Sequence, residues 1–217
     1  MNPDHIQSLY CERFRSNEER RQALWHVLCE HWFQRDIPKD SSLLELGSGY
    51  GEFINQIEAR EKSAIDINPE SSRHVSPSVK FYAASVTQIP LAEASVDVVF
   101  ASNLLEHLER HQILDCLREV RRVLRPGGRI LLLQTNIRFL VHDYWMFYDH
   151  VTPIDDRALC ELLISLGFVV QRCIPRFLPF TTKSWLPTCG WLIRLYLRVP
   201  FVWRWLGGQA YVVAAKC

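Results

Sequence analysis

Residues 42 to 53, Ser-Leu-Leu-Glu-Leu-Gly-Ser-Gly-Tyr-Gly-Glu-Phe, constrain this chain more than any other stretch. Leu43, Leu44 and Leu46 form a short apolar run that reads as a buried strand. Gly47, Gly49 and Gly51 follow at alternate positions. Glycine admits backbone angles and close approaches that a Cβ blocks. Beyond them Phe53, Ile54 and Ile57 fall at helical spacing. The pattern predicts strand, glycine turn and helix, with backbone N–H groups gathered at a helix N-terminus.

Two kinds of ligand sit on such a turn. A dinucleotide site takes G-x-G-x-x-G, whose last glycine lets helix and strand pack closely. Here the spacing is G-x-G-x-G, and Glu52 stands where the third dinucleotide glycine belongs. A carboxylate beside a pyrophosphate repels it. Glu45 and Glu52 are better suited to the sulfonium and amino group of S-adenosylmethionine. A plain strand-to-helix turn without a ligand is the remaining alternative.

At this point the sequence resembles the class I S-adenosylmethionine-dependent methyltransferases. Leu-Glu-Leu-Gly-Ser-Gly-Tyr-Gly is similar to their cofactor loop, with Ser48 where a cysteine is common. Ala64-Ile65-Asp66-Ile67-Asn68 resembles their second strand with its acidic end. Asp97-Val98-Val99-Phe100-Ala101-Ser102-Asn103 resembles the fourth strand, and Leu124-Arg125-Pro126-Gly127-Gly128-Arg129 the turn into the fifth. The resemblance spans about residues 40 to 175. It implies a doubly wound, Rossmann-like α/β domain. The sheet would have seven strands, the last antiparallel, in three α/β/α layers. It also implies S-adenosyl-L-methionine as cofactor and S-adenosyl-L-homocysteine as product. The cofactor residues it carries over are Glu45, Gly47, Ser48, Gly49, Gly51, Asp66, Ile67, Ser85, Val86, Ser102 and Asn103.

A chain of 217 residues, 48% hydrophobic, is expected to be a single domain with a sizeable core. Within it, residues 1 to 38 read as an N-terminal helical cover and 176 to 208 as a helical insertion before the last strand. The net charge of +1 does not suggest a nucleic-acid partner. That charge is unevenly placed. From Arg157 onward there are eight Lys and Arg but a single acid, Glu161, which suggests an anionic partner or surface for that region. A solvated basic face is the plainer alternative. Seven cysteines without C-x-x-C spacing or a histidine cluster fit a reducing cytoplasm. They predict neither a disulfide framework nor a metal site. Met-Asn-Pro-Asp-His lacks the basic and apolar regions of a signal peptide.

Along the chain, Arg20, Leu24, Val27, Leu28 and Trp32 mark a helix over residues 16 to 34. It would pack on the sheet edge or cover the site. The second strand is expected at Ser63–Ile67. Asp66 at its end lies where the ribose hydroxyls of a nucleoside need an acceptor. A helix N-cap is the alternative, although Asn68 before Pro69 is the better cap. After the third strand, Val79–Tyr82, the family often carries an acid that accepts from the adenine amino group. Here Ser85 stands in that position, and Gln88 or the Val86 backbone could serve instead. The fourth strand, Val96–Ala101, should be covered by helices on both faces. Its end brings Ser102, Asn103 and His107 towards the ligand crevice, where His107 could take a substrate proton or serve only as a packed residue.

Ile113 to Leu124 reads as an amphipathic helix, and Arg129–Gln134 as the fifth strand. The run from Phe139 to His150 is aromatic and holds two His-Asp pairs. It reads either as an acceptor pocket, with Tyr144, Trp145 and Tyr148 as contacts, or as packing against the sheet edge. His107 and His150 are the candidate bases, with Asp149 as orienter of either. A leucine-rich helix capped by Gly167 and a sixth strand, Phe168–Ile174, follow. Trp191 to Leu206 is rich in aromatic and leucine residues, interrupted by Arg194, Arg198 and Arg204. It is too short and too charged to span a membrane. It fits contact with an anionic membrane surface, a packed pocket wall, or both. Ala210–Ala215 is the expected last strand.

The expected reaction is methyl transfer to an oxygen, with nitrogen or carbon as the alternative, of a small-molecule, sugar or lipid-linked acceptor, without a metal. The aromatic loop and basic tail resemble bacterial methyltransferases encoded among polysaccharide and glycolipid biosynthesis enzymes. Asn-Leu-Leu-Glu-His-Leu also occurs in quinone-precursor methyltransferases, which gives the nearest rival acceptor. A non-catalytic module that keeps the fold, and more remotely a nicotinamide oxidoreductase, are the alternatives of other classes.

Overall fold

A computed structural model describes residues 18–180 and 189–217. Seven apolar runs become strands: β1 (Ser42–Leu46), β2 (Glu61–Asp66), β3 (Val79–Ala83), β4 (Val96–Ser102), β5 (Leu124–Thr135), β6 (Phe168–Leu178) and β7 (Gln209–Lys216). They form one sheet in the order β3-β2-β1-β4-β5-β7-β6. The pairings among β1 to β5 are parallel, and β7 runs antiparallel between β5 and β6. The chain leaves β1 towards β2 and β3, then crosses back to β4 on the other side. That reversal opens a crevice at the carboxyl ends of β1 and β4.

Both faces of the sheet are covered, so the inner strands are apolar on each side. Leu44, Leu46, Val99, Ala101, Ile130 and Leu132 point to one core, under α2 (Arg110–Val123) and α3 (Asp156–Ser165). Leu43, Val98, Phe100, Leu131, Leu133 and Tyr211 point to the other. That second core lies under α1 (Glu18–His31), α4 (Gly190–Arg198) and α5 (Pro200–Leu206). The alternation is the period-two signature of a strand.

The second core is largely aromatic. Phe53 stacks on Phe100 with ring centroids 3.7 Å apart, and Phe33 meets Phe100 edge-on at 5.2 Å. Trp32 packs on Phe177 and Trp203 at 4.7 and 5.2 Å. Such ring pairs contribute about 0.5–1.5 kcal/mol each beyond their buried area. They hold α1, α5 and the exit of the glycine loop against one sheet face. A polar strut crosses this layer. The Tyr211 hydroxyl and the Arg172 guanidinium both donate to Asp36 Oδ2 at 2.8 Å.

Several sequence expectations change. No helix follows the glycine loop. Asn55 N donates to Gly51 O and Ile57 N to Phe53 O, both at 3.0 Å, but β2 then begins at Glu61. Lys62 Nζ takes the carbonyls of Ile54 and Ile57 at 2.9 and 3.3 Å, closing the turn. Phe53, Ile54 and Ile57 are buried, so the spacing identified an inward face without the length to make a helix. The first helix ends at His31, and a 3-10 turn spans Phe33–Arg35. β6 runs through Pro175 to Leu178, because an edge strand has a side where no N–H is needed. The parts of the N-terminal cover at 1–17 and of the insertion at 181–188 lie outside the described residues.

Asp36→Ala should leave the fully buried Tyr211 hydroxyl without its acceptor. The expected loss is about 1–3 kcal/mol in urea unfolding. A change indistinguishable from zero would show that the strut contributes nothing.

Candidate functional site

The glycine loop takes the shape its residues alone permit. Gly47, Gly49 and Gly51 have φ of +66°, +51° and +71°. A Cβ on Gly47 would lie 3.0 Å from Leu104 Cδ1. Gly47 N and Ser48 N both donate to Ile65 O, at 2.8 and 3.1 Å. Gly49 N donates to Asp66 Oδ2 at 2.8 Å. Glu52 is tied outward to Arg21 of α1 at 2.8 Å, whereas Glu45 is buried beneath the loop. Burial pushes the Glu45 carboxyl well above the usual carboxylate range, and the charges of Glu52 and Asp66 add to this. Glu45 Oε2 and Ser48 Oγ are buried without a hydrogen-bond partner among the described residues.

Asp66 is 1% exposed, and its second oxygen accepts from Asn68 N at 2.8 Å. It does not cap the 3-10 turn Pro69–Arg73. Asn68 does, accepting from Glu70 N at 3.1 Å. Asp66 therefore clamps the end of β2 to the glycine loop, a role that spacing did not suggest. Burial raises its pKa, opposed by the two backbone N–H groups. Ile67 beside it is exposed, a large apolar side chain at the crevice rim. Ser85 is occupied locally: its hydroxyl lies 2.8 Å from the Thr87 hydroxyl and accepts from Thr87 N at 3.2 Å. Val86 is buried in the core.

On the other side of the crevice β4 ends in strain. Asn103 has φ +47°, a conformation that Asn tolerates better than most side chains. Its amide donates to Ser102 Oγ at 3.3 Å, and its Oδ1 lies 3.1 Å from the Thr135 hydroxyl oxygen. A 3-10 turn, Leu105–His107, follows. Within it Glu106 is fully buried. Its carboxylate accepts from Gln134 Nε2 at 2.6 Å and Thr135 Oγ1 at 2.8 Å. Its carbonyl holds Val151 N and Thr152 N at 2.8 and 3.1 Å. This fixes the aromatic loop across the end of β5.

The loop delivers the two distant candidates to His107. Asp149 presents its carbonyl at 3.0 Å and its carboxylate at 3.2 Å to His107 Nδ1. Asp149 thus orients His107. The His150 ring stands 5.0 Å from that of His107 and is packed by Tyr144 and Phe147 at 4.8 and 5.1 Å. Burial lowers the His150 pKa, opposed by Glu106. Tyr144 is not placed to meet an acceptor. It is fully buried and its hydroxyl donates to Thr152 O, so it supports the loop. Trp145 and Tyr148 are exposed at 55% and 84%. Sequence reasoning passed over Glu106. The one signal was a carboxylate between Leu105 and His107 in an otherwise apolar turn.

The glycine side fits the ligand that its sequence suggests. Three left-handed glycines give the loop a tight path that side chains would obstruct, and two buried polar atoms, Glu45 Oε2 and Ser48 Oγ, lack partners among the described residues. A cationic ligand beside Glu45 would favour its ionised form. Arg21, the arginine beside the loop, is engaged by the Glu52 carboxylate at 2.8 Å.

The comparisons agree with this geometry. Residues 44–132 match the family model described as "Methyltransferase domain". The chain belongs to the class I S-adenosylmethionine-dependent methyltransferases, whose cofactor is S-adenosylmethionine. A Mycobacterium tuberculosis protein named "Probable S-adenosylmethionine-dependent methyltransferase" is 31% identical over 71% of this chain and 56% of its own length. A similarly named Mycolicibacterium smegmatis protein is 33% identical over 73% of this chain and 61% of its own length. The match thus spans somewhat over half of these relatives. Among solved structures, a SAM-dependent methyltransferase from Archaeoglobus fulgidus superposes with a TM-score of 0.65 at 19% identity. It covers 97% of this chain and 99% of that one. A geranyl diphosphate C-methyltransferase from Streptomyces coelicolor gives 0.60 at 13% identity, over 89% and 76%. These likenesses show the fold.

Asp66→Ala removes the acceptor of two buried amides. We expect a loss of roughly 2–4 kcal/mol in chemical denaturation, and a smaller loss for Asp66→Asn, which keeps one acceptor oxygen. Unchanged stability in both would mean that the loop keeps its shape without the clamp.

Proposed function

We propose that this chain transfers a methyl group from S-adenosylmethionine to an oxygen of a small-molecule, sugar or lipid-linked acceptor. The observation that carries the proposal is the proximity of two built half-sites. The glycine loop closes the end of β1, the His107–Asp149 pair follows the end of β4, and Leu104 packs between them. S-adenosylmethionine supplies the methyl group on a sulfonium and leaves as S-adenosylhomocysteine. Glu45, Ser48 and the glycines Gly47, Gly49 and Gly51 hold its methionine end. The lone pairs that remain on Asp66 take the ribose hydroxyls. Ile67 covers the adenine, with Ser85 and Val86 at its far edge. Ser102 and Asn103 border the methyl group. Fixing donor and acceptor in one orientation accounts for much of the acceleration in such a transfer.

The acceptor hydroxyl is activated at the cluster of His107 and His150, with Asp149 orienting the former. Trp145 and Tyr148 then stand at the mouth and offer rings to an acceptor that covers them. The labelled-methyl assay is direct. Incubation with tritiated cofactor and fractionated bacterial lipids and sugars should give a labelled product that base does not hydrolyse, as for an ether. No labelled product from any fraction would overturn the proposal.

A specific surface supports a lipid-linked acceptor. α4 and α5 leave β6 at the carboxyl edge of the sheet. Their inner face, Ile193, Leu197 and Trp203, is buried. Their outer face exposes Trp191, Leu195, Phe201 and Trp205, interleaved with Arg194, Arg198 and Arg204. None of these arginines is in an ion pair among the described residues. Among those residues no helix is long and apolar enough to cross a membrane. Rings with unpaired cations instead suit the surface of an anionic bilayer, at about 1 kcal/mol per basic residue. Vesicles rich in phosphatidylglycerol should sediment the protein at low salt and release it at high salt. Arg194→Glu/Arg198→Glu should weaken the attachment roughly tenfold or more. A wild type that stays in solution at low salt would reduce this face to a packed cover of the site.

A further inference from the structure

The cluster at the end of β4 and β5 has more ligating groups than a proton relay needs. One donor atom from each of Glu106, His107 and His150 lies within 4.8 Å of the other two. Three details bear on which atoms can offer a lone pair. His107 Nδ1 faces only oxygen acceptors, the carbonyl and carboxylate of Asp149, so Nδ1 carries the proton. The lone pair of the neutral ring is then on Nε2. His150 is 7% exposed, its ring hydrogen-bonds the Tyr144 backbone, and its Nδ1 is buried with no hydrogen-bond partner among the described residues. Glu106 is held by Gln134 and Thr135, one on each oxygen, which leaves a lone pair on both.

A buried ring nitrogen without a partner is costly, by about 1–3 kcal/mol. It needs an occupant that accepts its lone pair. A water molecule would satisfy it, yet would leave the rest of the arrangement without a reason. A histidine whose far nitrogen donates to a carboxylate, and a carboxylate that is itself hydrogen-bonded, are the outer supports found around metal ligands. Two imidazoles and one carboxylate are a donor set for zinc, iron, cobalt or manganese ions with positions left open.

We propose that Glu106, His107 through Nε2 and His150 through Nδ1 bind one divalent transition-metal ion. Its open positions would take the acceptor's oxygen. This deepens the methyl-transfer reading and rests on it. A metal-bound hydroxyl loses its proton to solvent at neutral pH, and the resulting alkoxide or phenolate oxygen forms the new bond to the methyl carbon as the sulfonium bond breaks. Asp149 is then a positioning residue for His107, and Gln134 and Thr135 position Glu106. The sequence expectation of no metal site fails on this reading. Its ligands come from a turn after β4 and a loop after β5, so no contiguous motif announces them.

Cobalt(II) is the probe. Calorimetry and visible absorption on the full chain, stripped with chelator, should show one site whose d–d bands lack thiolate charge transfer. Glu106→Gln and His150→Ala should abolish that site, and Asp149→Asn should weaken it roughly 10–100-fold. S-adenosylhomocysteine binding serves as the folding control and should persist in all three variants. If wild type and His150→Ala bind cobalt alike, or if the stripped enzyme methylates its acceptor at the full rate, the metal proposal is overturned and the methyltransferase reading stands. If S-adenosylhomocysteine fails to bind the wild type, the underlying reading itself is lost.

Discussion

The Asp66 carboxylate is the constraint on which the cofactor half of this molecule depends. It is a buried acid at the end of β2, and it spends one oxygen on the amide of Gly49 and the other on that of Asn68. Three left-handed glycines at alternate positions have no regular hydrogen-bond pattern of their own. Without an acceptor at Asp66, the middle amide would be buried and unsatisfied. The clamp therefore converts a flexible sequence into a fixed cradle. On the proposed ribose contact, shape and recognition would draw on this one group.

The other half depends on Glu106. Its side chain joins the ends of β4 and β5 through Thr135 and Gln134, and its carbonyl anchors the loop that carries Asp149 and His150. A buried carboxylate with two donors, and two imidazoles beside it, is an expensive arrangement for packing alone. Apolar residues would fill the same space with less desolvation. The aromatic core beneath, from Phe53 through Phe100 to Phe33, makes the foundation rigid. It ties the exit of the glycine loop to β4, so the two halves are held by one face of the sheet.

The strands and the glycine loop were legible because they are local. Alternation, apolar runs and positive-φ glycines leave their mark within a few residues. Asp66 stands out in the sequence as the acid at the end of β2, but its structural task does not, since the Gly49 amide lies 17 positions away. The helix expected after the loop fails for a similar reason. Phe53, Ile54 and Ile57 show which side is buried, while the closeness of β2, closed off by Lys62, sets the length. For Tyr144 the sequence offers both an acceptor contact and packing, because aromatic residues crowd that loop, and its full burial shows that it faces inward. Glu106 was missed because its partners lie 28 and 29 positions downstream.

The central claim is that the loop from Gly47 to Gly51 is a nucleoside–sulfonium site and not a dinucleotide one. Isothermal titration of the full chain with S-adenosylhomocysteine, and separately with NAD, tests it most directly. The account predicts saturable one-to-one binding of S-adenosylhomocysteine and no measurable heat with NAD. Saturable binding of NAD, or no binding of S-adenosylhomocysteine, would contradict it.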